Sequence, residues 1–322
     1  MPTLIYLVGL PASGKSSYAK MLQKQYRAAI VATDELRQTL FYSETKQGKT
    51  GILYRYAMER VREHLEEGRN VILDATNIER EFRVKALHRL RDIPNLEKRC
   101  YVVDTPYQEC LKRNQERKRT VEERILEKMY KKAEFPLKEE GWDQIEILHT
   151  PGSYNISRQE FQELLTRYSS YEEFYERLNT IPFFSDMFQY DQGNPYHSLP
   201  LCQHTYMVYA HLTENYVGED LFLLQSAAAL HDIGKPFCRV FKKLKGYHSY
   251  YGHEYVSTHI ACHFLMELGF EWEFIEKVLM ITGFHMKMLH GGEEAAREIY
   301  YYCGDEMLTK LYFFRDADAF AK

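Results

Sequence analysis

The 322-residue chain contains no CxxC pair. Its six cysteines (Cys100, Cys110, Cys202, Cys238, Cys262 and Cys303) are scattered, which argues against a thiolate zinc site or a disulfide framework. They read as reduced thiols of a cytoplasmic protein. Long apolar runs are also missing: the longest, around Leu4–Val8 and Leu221–Leu224, fall far below the ~20 residues of a membrane span. The opening Met1-Pro2-Thr3-Leu4 lacks the basic-then-apolar pattern of a signal peptide, so no membrane partner is expected. Neither sign of charge dominates, because 42 Lys+Arg against 46 Asp+Glu leave −4. No internal repeat or low-complexity segment stands out. With 45% apolar and 27% charged residues the composition is globular, which excludes disordered and fibrous classes. The length suits two domains.

The halves differ in chemistry. Residues 1–150 carry 28 basic and 23 acidic side chains, and residues 151–322 carry 14 and 23. Ten of the 13 histidines lie in the second half. A mildly basic first half and an acidic, histidine-rich second half suggest different tasks.

Residues 1–152 alternate strand and helix patterns, which predicts an α/β domain with a parallel, doubly wound sheet. Strands are expected at Thr3–Val8, Ala28–Ala32, Asn70–Leu73, Arg99–Val103 and Ile145–Leu148. Thr150-Pro151-Gly152-Ser153 breaks the pattern. Residues 153–194 read as a helical linker or the start of a second domain. Residues 195–322 read as an all-α bundle with almost no strand signal.

Gly9-Leu10-Pro11-Ala12-Ser13-Gly14-Lys15-Ser16 matches GxxxxGK[ST] between an apolar strand and a helix. In this context the backbone N–H groups of Gly9, Ala12, Ser13, Gly14, Ser16 and Ser17 can cradle the phosphates of ATP. Lys15 is expected to reach the β- and γ-phosphates and Ser16 to bind Mg²⁺. Asp34, in Thr33-Asp34-Glu35-Leu36-Arg37, follows a strand expected to neighbour the P-loop strand. From there a carboxylate can take a proton from a hydroxyl acceptor. The alternative is that Asp34 only caps a helix starting at Glu35. Arg37 can hold an anionic acceptor. Val71-Ile72-Leu73-Asp74-Ala75-Thr76-Asn77 offers Asp74 as a carboxylate near Mg²⁺ or the acceptor. No NKxD base-recognition motif is present, which lowers a GTPase reading. Arg113 and Arg117, with Lys112, Lys118 and Arg119 nearby, are expected on one helix face, either as a phosphate-contacting lid or as a solvated basic face.

These motifs (GLPASGKS, TDELR, VILDATN and RNQER) resemble the phage-type polynucleotide 5′-kinase family of P-loop phosphotransferases. The resemblance implies that Asp34 is the general base for a 5′-hydroxyl. It implies that Arg37 contacts acceptor phosphate and Arg113 the donor phosphates.

In the second half, His231-Asp232-Ile233-Gly234-Lys235 closes an apolar helical run. An adjacent His–Asp pair can chelate a divalent cation if a further histidine and a distant aspartate join it. His204 lies upstream; His253, His285, Asp316 and Asp318 lie downstream. Two apart on a helix, Asp316 and Asp318 point in different directions, so only one fits. The order resembles the HD-domain metal-dependent phosphohydrolases. That resemblance assigns His204, His231, Asp232 and Asp318 to a divalent transition metal (Mn²⁺, Ni²⁺, Co²⁺ or Fe²⁺). It gives His253 and His285 to a second metal or to phosphate, and Lys235 to the scissile phosphate. Tyr247, Tyr250 and Tyr251 can stack on bases or pack in a helical core.

The combined expectation is a bifunctional enzyme for RNA or DNA ends. An ATP-dependent 5′-hydroxyl kinase would be joined to a phosphohydrolase for 2′,3′-cyclic, 2′- or 3′-phosphate ends. The alternatives are a small-molecule or nucleoside kinase fused to a nucleotide phosphohydrolase, and a kinase with a degenerate HD sensor.

Overall fold

A computed structural model describes residues 1–41, 50–117 and 119–322, which leaves Lys118 outside the described residues. The chain divides into two compact units, Met1–Thr150 and Pro151–Lys322.

The first unit runs β1 (Thr3–Val8), α1 (Lys15–Tyr26), β2 (Ala29–Ala32), α2 (Thr33–Phe41), α3 (Thr50–Glu66), β3 (Val71–Asp74), α4 (Arg80–Arg89), β4 (Glu97–Asp104), α5 (Tyr107–Glu116), α6 (Glu123–Tyr130) and β5 (Gln144–His149). The strands form one parallel sheet in the order β2-β3-β1-β4-β5. The expected adjacency of β2 and β1 is therefore corrected: β3 lies between them, pairing Ile72 with both Ile5 and Ile30. β1 and β3 are buried along their whole length, as central strands must be when helices cover both faces. Ile5, Leu7, Leu22, Ile72 and Tyr101 share one core cluster. Each such aliphatic side chain contributes about 1.5–3 kcal/mol by leaving water. Because all strands point one way, β1, β2 and β3 end at the same sheet edge, where α/β proteins place their sites.

Below that edge sits a buried ion pair. Arg83 on α4 is fully buried and meets both carboxylate oxygens of Glu140 at 2.7 Å. Its Nη1 also donates to the carbonyls of Asn77 and Glu134. Glu140 accepts further from Trp142 Nε1 and the Leu137 amide. The guanidinium thus ties the loop after β3 to the segment before β5.

The second unit runs α7 (Arg158–Thr166), α8 (Tyr171–Leu178), α9 (Pro182–Ser185), α10 (Leu201–Asn215), α11 (Leu221–Leu230), α12 (Lys235–Cys238), β6 (Val240–Lys242), β7 (Tyr247–Ser249), α13 (His253–Glu267), α14 (Trp272–His290) and α15 (Gly292–Phe320). α15 breaks at Gly304 (φ 76°, ψ 176°). Ser157 and Ser170 start α7 and α8 with capping boxes to Glu160 and Glu173. Both helices belong to the packed unit: Tyr209 Oη donates to Leu165 O of α7 at 2.7 Å, and the Phe174 ring of α8 meets Tyr209 at 5.1 Å. α11 is apolar on all sides from Ala227 to Leu230 and is wholly buried there. The second half is helical as expected, apart from the short antiparallel β6–β7 hairpin, which pairs Phe241 with His248. Its strands are three residues each, too short for a clear period-two pattern in the sequence.

Candidate active sites

In the first unit, one cavity of about 980 Å³ is lined by the P-loop, Ser16, Ser17, Asp34, Arg37, Asp74, Arg113, Arg117 and Arg119. Gly14 adopts φ 105° at the start of α1, a conformation that side chains disfavour, and so turns the loop into the helix. Ala12 is also left-handed, at φ 63°. The Ser13 carbonyl accepts from Thr105 Oγ1 at 2.9 Å and from Arg113 Nη1 at 3.3 Å. The Gly9 amide donates to Thr76 O, and Asn77 Nδ2 donates to Leu7 O, which clips the loop after β3 to the P-loop strand.

Lys15 is buried and donates to Leu10 O at 2.6 Å. Burial pushes its pKa down to about 8, against the pull of the Asp74 carboxylate. Asp74 closes β3, and its carbonyl accepts from Thr33 Oγ1 at 3.3 Å. Because α2 starts at Thr33, Asp34 stands in the first helical turn and not at an N-cap before Glu35. Its carboxylate is half exposed and pairs with Arg119 Nη1 at 2.9 Å.

The shared helix face expected for Arg113 and Arg117 is corrected. α5 ends at Glu116, and Arg117 is extended (φ −82°, ψ 151°). The physical cause is Asn114, whose side chain exchanges two hydrogen bonds with the Val121 backbone and holds a loop where a further helical turn would run. Arg113 and Arg117 reach the cavity all the same, from helix and loop respectively. Arg119, noted in the sequence only as one of several basic residues, belongs to that loop. Its partner is 85 residues away, and no local pattern announces the pair.

In the second unit, α10, α11, α13, α14 and α15 bring His204, His231, Asp232, His253, His285 and Asp318 together, all buried. Each histidine is oriented in the same way. Nδ1 meets a backbone carbonyl: Ala321 for His204, Ala228 for His231, Tyr250 for His253 and Thr282 for His285, at 2.7–2.9 Å. Only a protonated Nδ1 satisfies a carbonyl, so the neutral rings all turn an Nε2 lone pair inward. Asp232 sits between two groups. Its Oδ2 is 3.1 Å from His231 Nε2 and 3.3 Å from His204 Nε2. Its Oδ1 is 3.0 Å from His253 Nε2 and 3.7 Å from His285 Nε2. Asp318 Oδ1 completes the first group, 3.3 Å from His204 Nε2. Asp316 instead pairs with Arg315 at the surface.

Converging lone pairs and carboxylate oxygens fit divalent cations bound by oxygen and imidazole. The titration behaviour follows the same geometry. Burial lowers the pKa of His204, but Asp232 and Asp318 outweigh it and hold it up at about 9, so a cation binding at its Nε2 must displace a proton. For His285, burial and the neighbouring histidines push it down to about 3. Burial alone would raise Asp232, yet His231 and Lys235 hold it well below the carboxylate range.

Lys235 is buried, with Nζ 2.7 Å from Asp232 Oδ2 and 2.9 Å from Gln192 Oε1. Gln192 is a fully buried residue that the sequence reading missed; it lies 43 positions from Lys235, outside any motif. Gly234 explains its own place in the motif. A Cβ there would stand 2.6 Å from the His253 carbonyl and 2.8 Å from the Ser257 amide, so only glycine lets the turn after Asp232 meet α13. His197 is half buried beside the His204 ring, centroids 5.0 Å apart, and burial lowers its pKa to about 3.

Comparison with known proteins follows the same division. Residues 4–136 match the AAA domain family, and residues 201–322 match the HD domain family. Among curated proteins, the chain is 31% identical over 156 residues to an L-seryl-tRNA(Sec) kinase of Methanococcus maripaludis. That match covers 44% of this chain, and the chain spans only 56% of the relative's length. Solved structures with likeness include a putative kinase from Chloroflexus aurantiacus (16% identity, TM-score 0.33, covering 36% of this chain and 65% of that one). A gluconokinase from Sinorhizobium meliloti is also similar (16% identity, TM-score 0.34, covering 45% and 81%). A Pnkp1/Rnl/Hen1 complex matches at 26% identity and TM-score 0.30, covering 35% and 38%. No described helix is long and apolar enough to cross a membrane. The chain thus joins a segment that matches the AAA domain family, residues 4–136, to one that matches the HD domain family, residues 201–322.

Proposed function

We propose that this is a bifunctional nucleic-acid end-processing enzyme of the cytoplasm. Its first unit moves the γ-phosphate of ATP to a 5′-hydroxyl of RNA or DNA. Its second removes phosphate from 2′,3′-cyclic, 2′- or 3′-phosphate ends. One observation carries the kinase half: Lys15, Asp34 and Asp74 line the same cavity as Arg37, Arg113 and Arg117. The P-loop amides of Gly9, Ala12, Ser13, Gly14, Ser16 and Ser17 hold the ATP phosphates, with Lys15 at the β- and γ-positions. Ser16 and Asp74 hold Mg²⁺. Asp34 takes the proton of the attacking hydroxyl, Arg37 grips phosphate of the acceptor, and Arg113 and Arg117 neutralise the transferring phosphoryl group. The D-x-x-R element supports a 5′-hydroxyl acceptor, and a relative named for acting on L-seryl-tRNA(Sec) supports a substrate that includes a nucleic acid.

In the HD unit, His204, His231, Asp232 and Asp318 are the residues to hold one divalent transition metal. Asp232 with His253 and His285 is the set for a second. A metal there supplies Lewis acidity and lowers the pKa of bound water. Lys235, held by Gln192 and Asp232, offers an ammonium to the scissile phosphate.

The deciding test is incubation with γ-labelled ATP, Mg²⁺ and a 5′-hydroxyl oligonucleotide, beside a panel of nucleosides and sugars. Label on the oligonucleotide is the expected result. Label only on a nucleoside or sugar makes the first unit a small-molecule kinase.

A further inference from the structure

The β6–β7 hairpin departs from the charge of its surroundings. Between Asp232 and Glu254 there is no acidic residue, but Lys235, Arg239, Lys242, Lys243 and Lys245 all fall there. Those five are over a third of the 14 basic residues in an otherwise acidic half. Aromatic rings are interleaved with them and exposed: Tyr251 at 67%, Tyr196 at 62% and Phe241 at 54%. Tyr196 and Tyr247 meet edge to face at 5.8 Å. Lys242 lies 5.1 Å over the Tyr251 ring and Lys245 5.6 Å over Tyr247. Large exposed aromatics carry a solvation cost that a monomeric surface usually avoids, so a contiguous set points to a ligand.

The hairpin is also built into the metal centre. The His248 amide donates to Gly193 O at 3.0 Å, beside Gln192, whose side chain accepts from Lys235. Tyr250, directly after β7, donates through its hydroxyl to Gln192 O and accepts His253 Nδ1 at its carbonyl. One short segment therefore presents rings and cations at its outer end and orients a candidate metal ligand at its inner end.

We propose that this hairpin, with Tyr196, is a platform for single-stranded nucleic acid. Tyr196, Tyr247 and Tyr251 stack on successive bases behind the end being processed, and Lys242, Lys243 and Lys245 track the phosphates. Aromatic faces accept any base, and lysines read backbone charge, so the platform is tolerant of sequence. The inference rests on the end-processing reading and deepens it. It gives the HD unit a polymer substrate rather than a free nucleotide.

The test uses the full chain and ten-residue oligonucleotides, ribo- and deoxyribo-, that carry a 4-thio-pyrimidine photocrosslinker two residues from a 3′-phosphate. Crosslinks are expected within residues 190–253. The Tyr247→Ala/Tyr251→Ala variant is expected to bind a fluorescent version about tenfold or more weaker. Lys242→Gln/Lys245→Gln is expected to flatten the salt dependence of binding by about 0.7 per lysine. Crosslinks confined to residues 1–150, or wild-type affinity in the tyrosine variant, overturn the proposal. The wild-type crosslink map stands even if a variant folds poorly. Failure of the end-processing reading has a different signature: hairpin crosslinks persist, but no phosphate leaves the 3′-end and no label reaches a 5′-hydroxyl.

Discussion

Arg119 Nη1 lies 2.9 Å from Asp34 Oδ1, so the loop between α5 and α6 reaches across the cavity to the carboxylate in the first turn of α2. A hydroxyl acceptor that is to give its proton to Asp34 must share or displace that guanidinium. Asp34→Asn keeps the shape and removes the base. Phosphoryl transfer is expected to fall by roughly 10²-fold or more, with ATP affinity little changed. Single-turnover transfer and a separate ATP titration check this, and near-wild-type turnover would leave Asp34 without a catalytic role.

Lys15 supplies the pH-dependent element of the kinase site. Its pKa is lowered to about 8 by burial, so the nucleotide-free chain loses the ammonium as pH rises through that value. Nucleotide phosphates favour the charged form. Affinity for a non-hydrolysable ATP analogue is therefore expected to fall above pH about 8, by up to tenfold per pH unit. Stability moves the other way. The folded chain binds fewer protons here than the unfolded one, so the penalty is complete below pH 8 and is relieved as pH climbs toward an ordinary lysine pKa of about 10.4. Calorimetric titration of the analogue from pH 7 to 9.5 reads the first effect. Lys15→Ala should abolish transfer and leave phosphohydrolysis in place; loss of both in a folded protein would contradict two independent sites.

Asp232 faces both histidine pairs, one carboxylate oxygen to each. Asp232→Ala is expected to lose all bound divalent metal and all phosphohydrolase activity, and to keep the kinase. Asp316→Ala, at the surface, is expected to retain metal. Metal content of the purified proteins, with activity after chelation and re-addition of Mn²⁺, Ni²⁺, Co²⁺ or Fe²⁺, decides the matter. Wild-type protein that neither holds nor responds to any of these ions would return the HD unit to a sensing role.

Arg83 and Glu140 form a pair with no solvent access on either side chain. Removing one partner strands the other charge in the core. Arg83→Leu is expected to cost roughly 3–5 kcal/mol, and Arg83→Leu/Glu140→Leu less than that. Urea unfolding of both variants tests the sign of the difference. A double variant no more stable than the single one would show that the hydrogen bonds from Arg83 to the loop after β3 matter more than its charge.

What could be read from the chain alone was what depends on neighbours in sequence. The apolar β1, the P-loop that follows it and the order His204, His231, Asp232, Asp318 are local or ordinal patterns. They are set by side-chain periodicity and by glycines where the backbone must turn. Tertiary structure decided what depends on distant partners. It placed β3 between β2 and β1, because that pairing buries Ile72 on both sides. It ended α5 early through the Asn114 side chain, brought Arg119 to Asp34, and set Gln192 against Lys235. It set Asp318 against His204 and left Asp316 to Arg315 at the surface. It also turned every Nε2 of the four histidines inward through carbonyls that no motif specifies. The physical reason is range. Backbone periodicity is fixed within a few residues, whereas sheet order, ion pairs and ligand orientation arise only when segments far apart in the chain exclude water together.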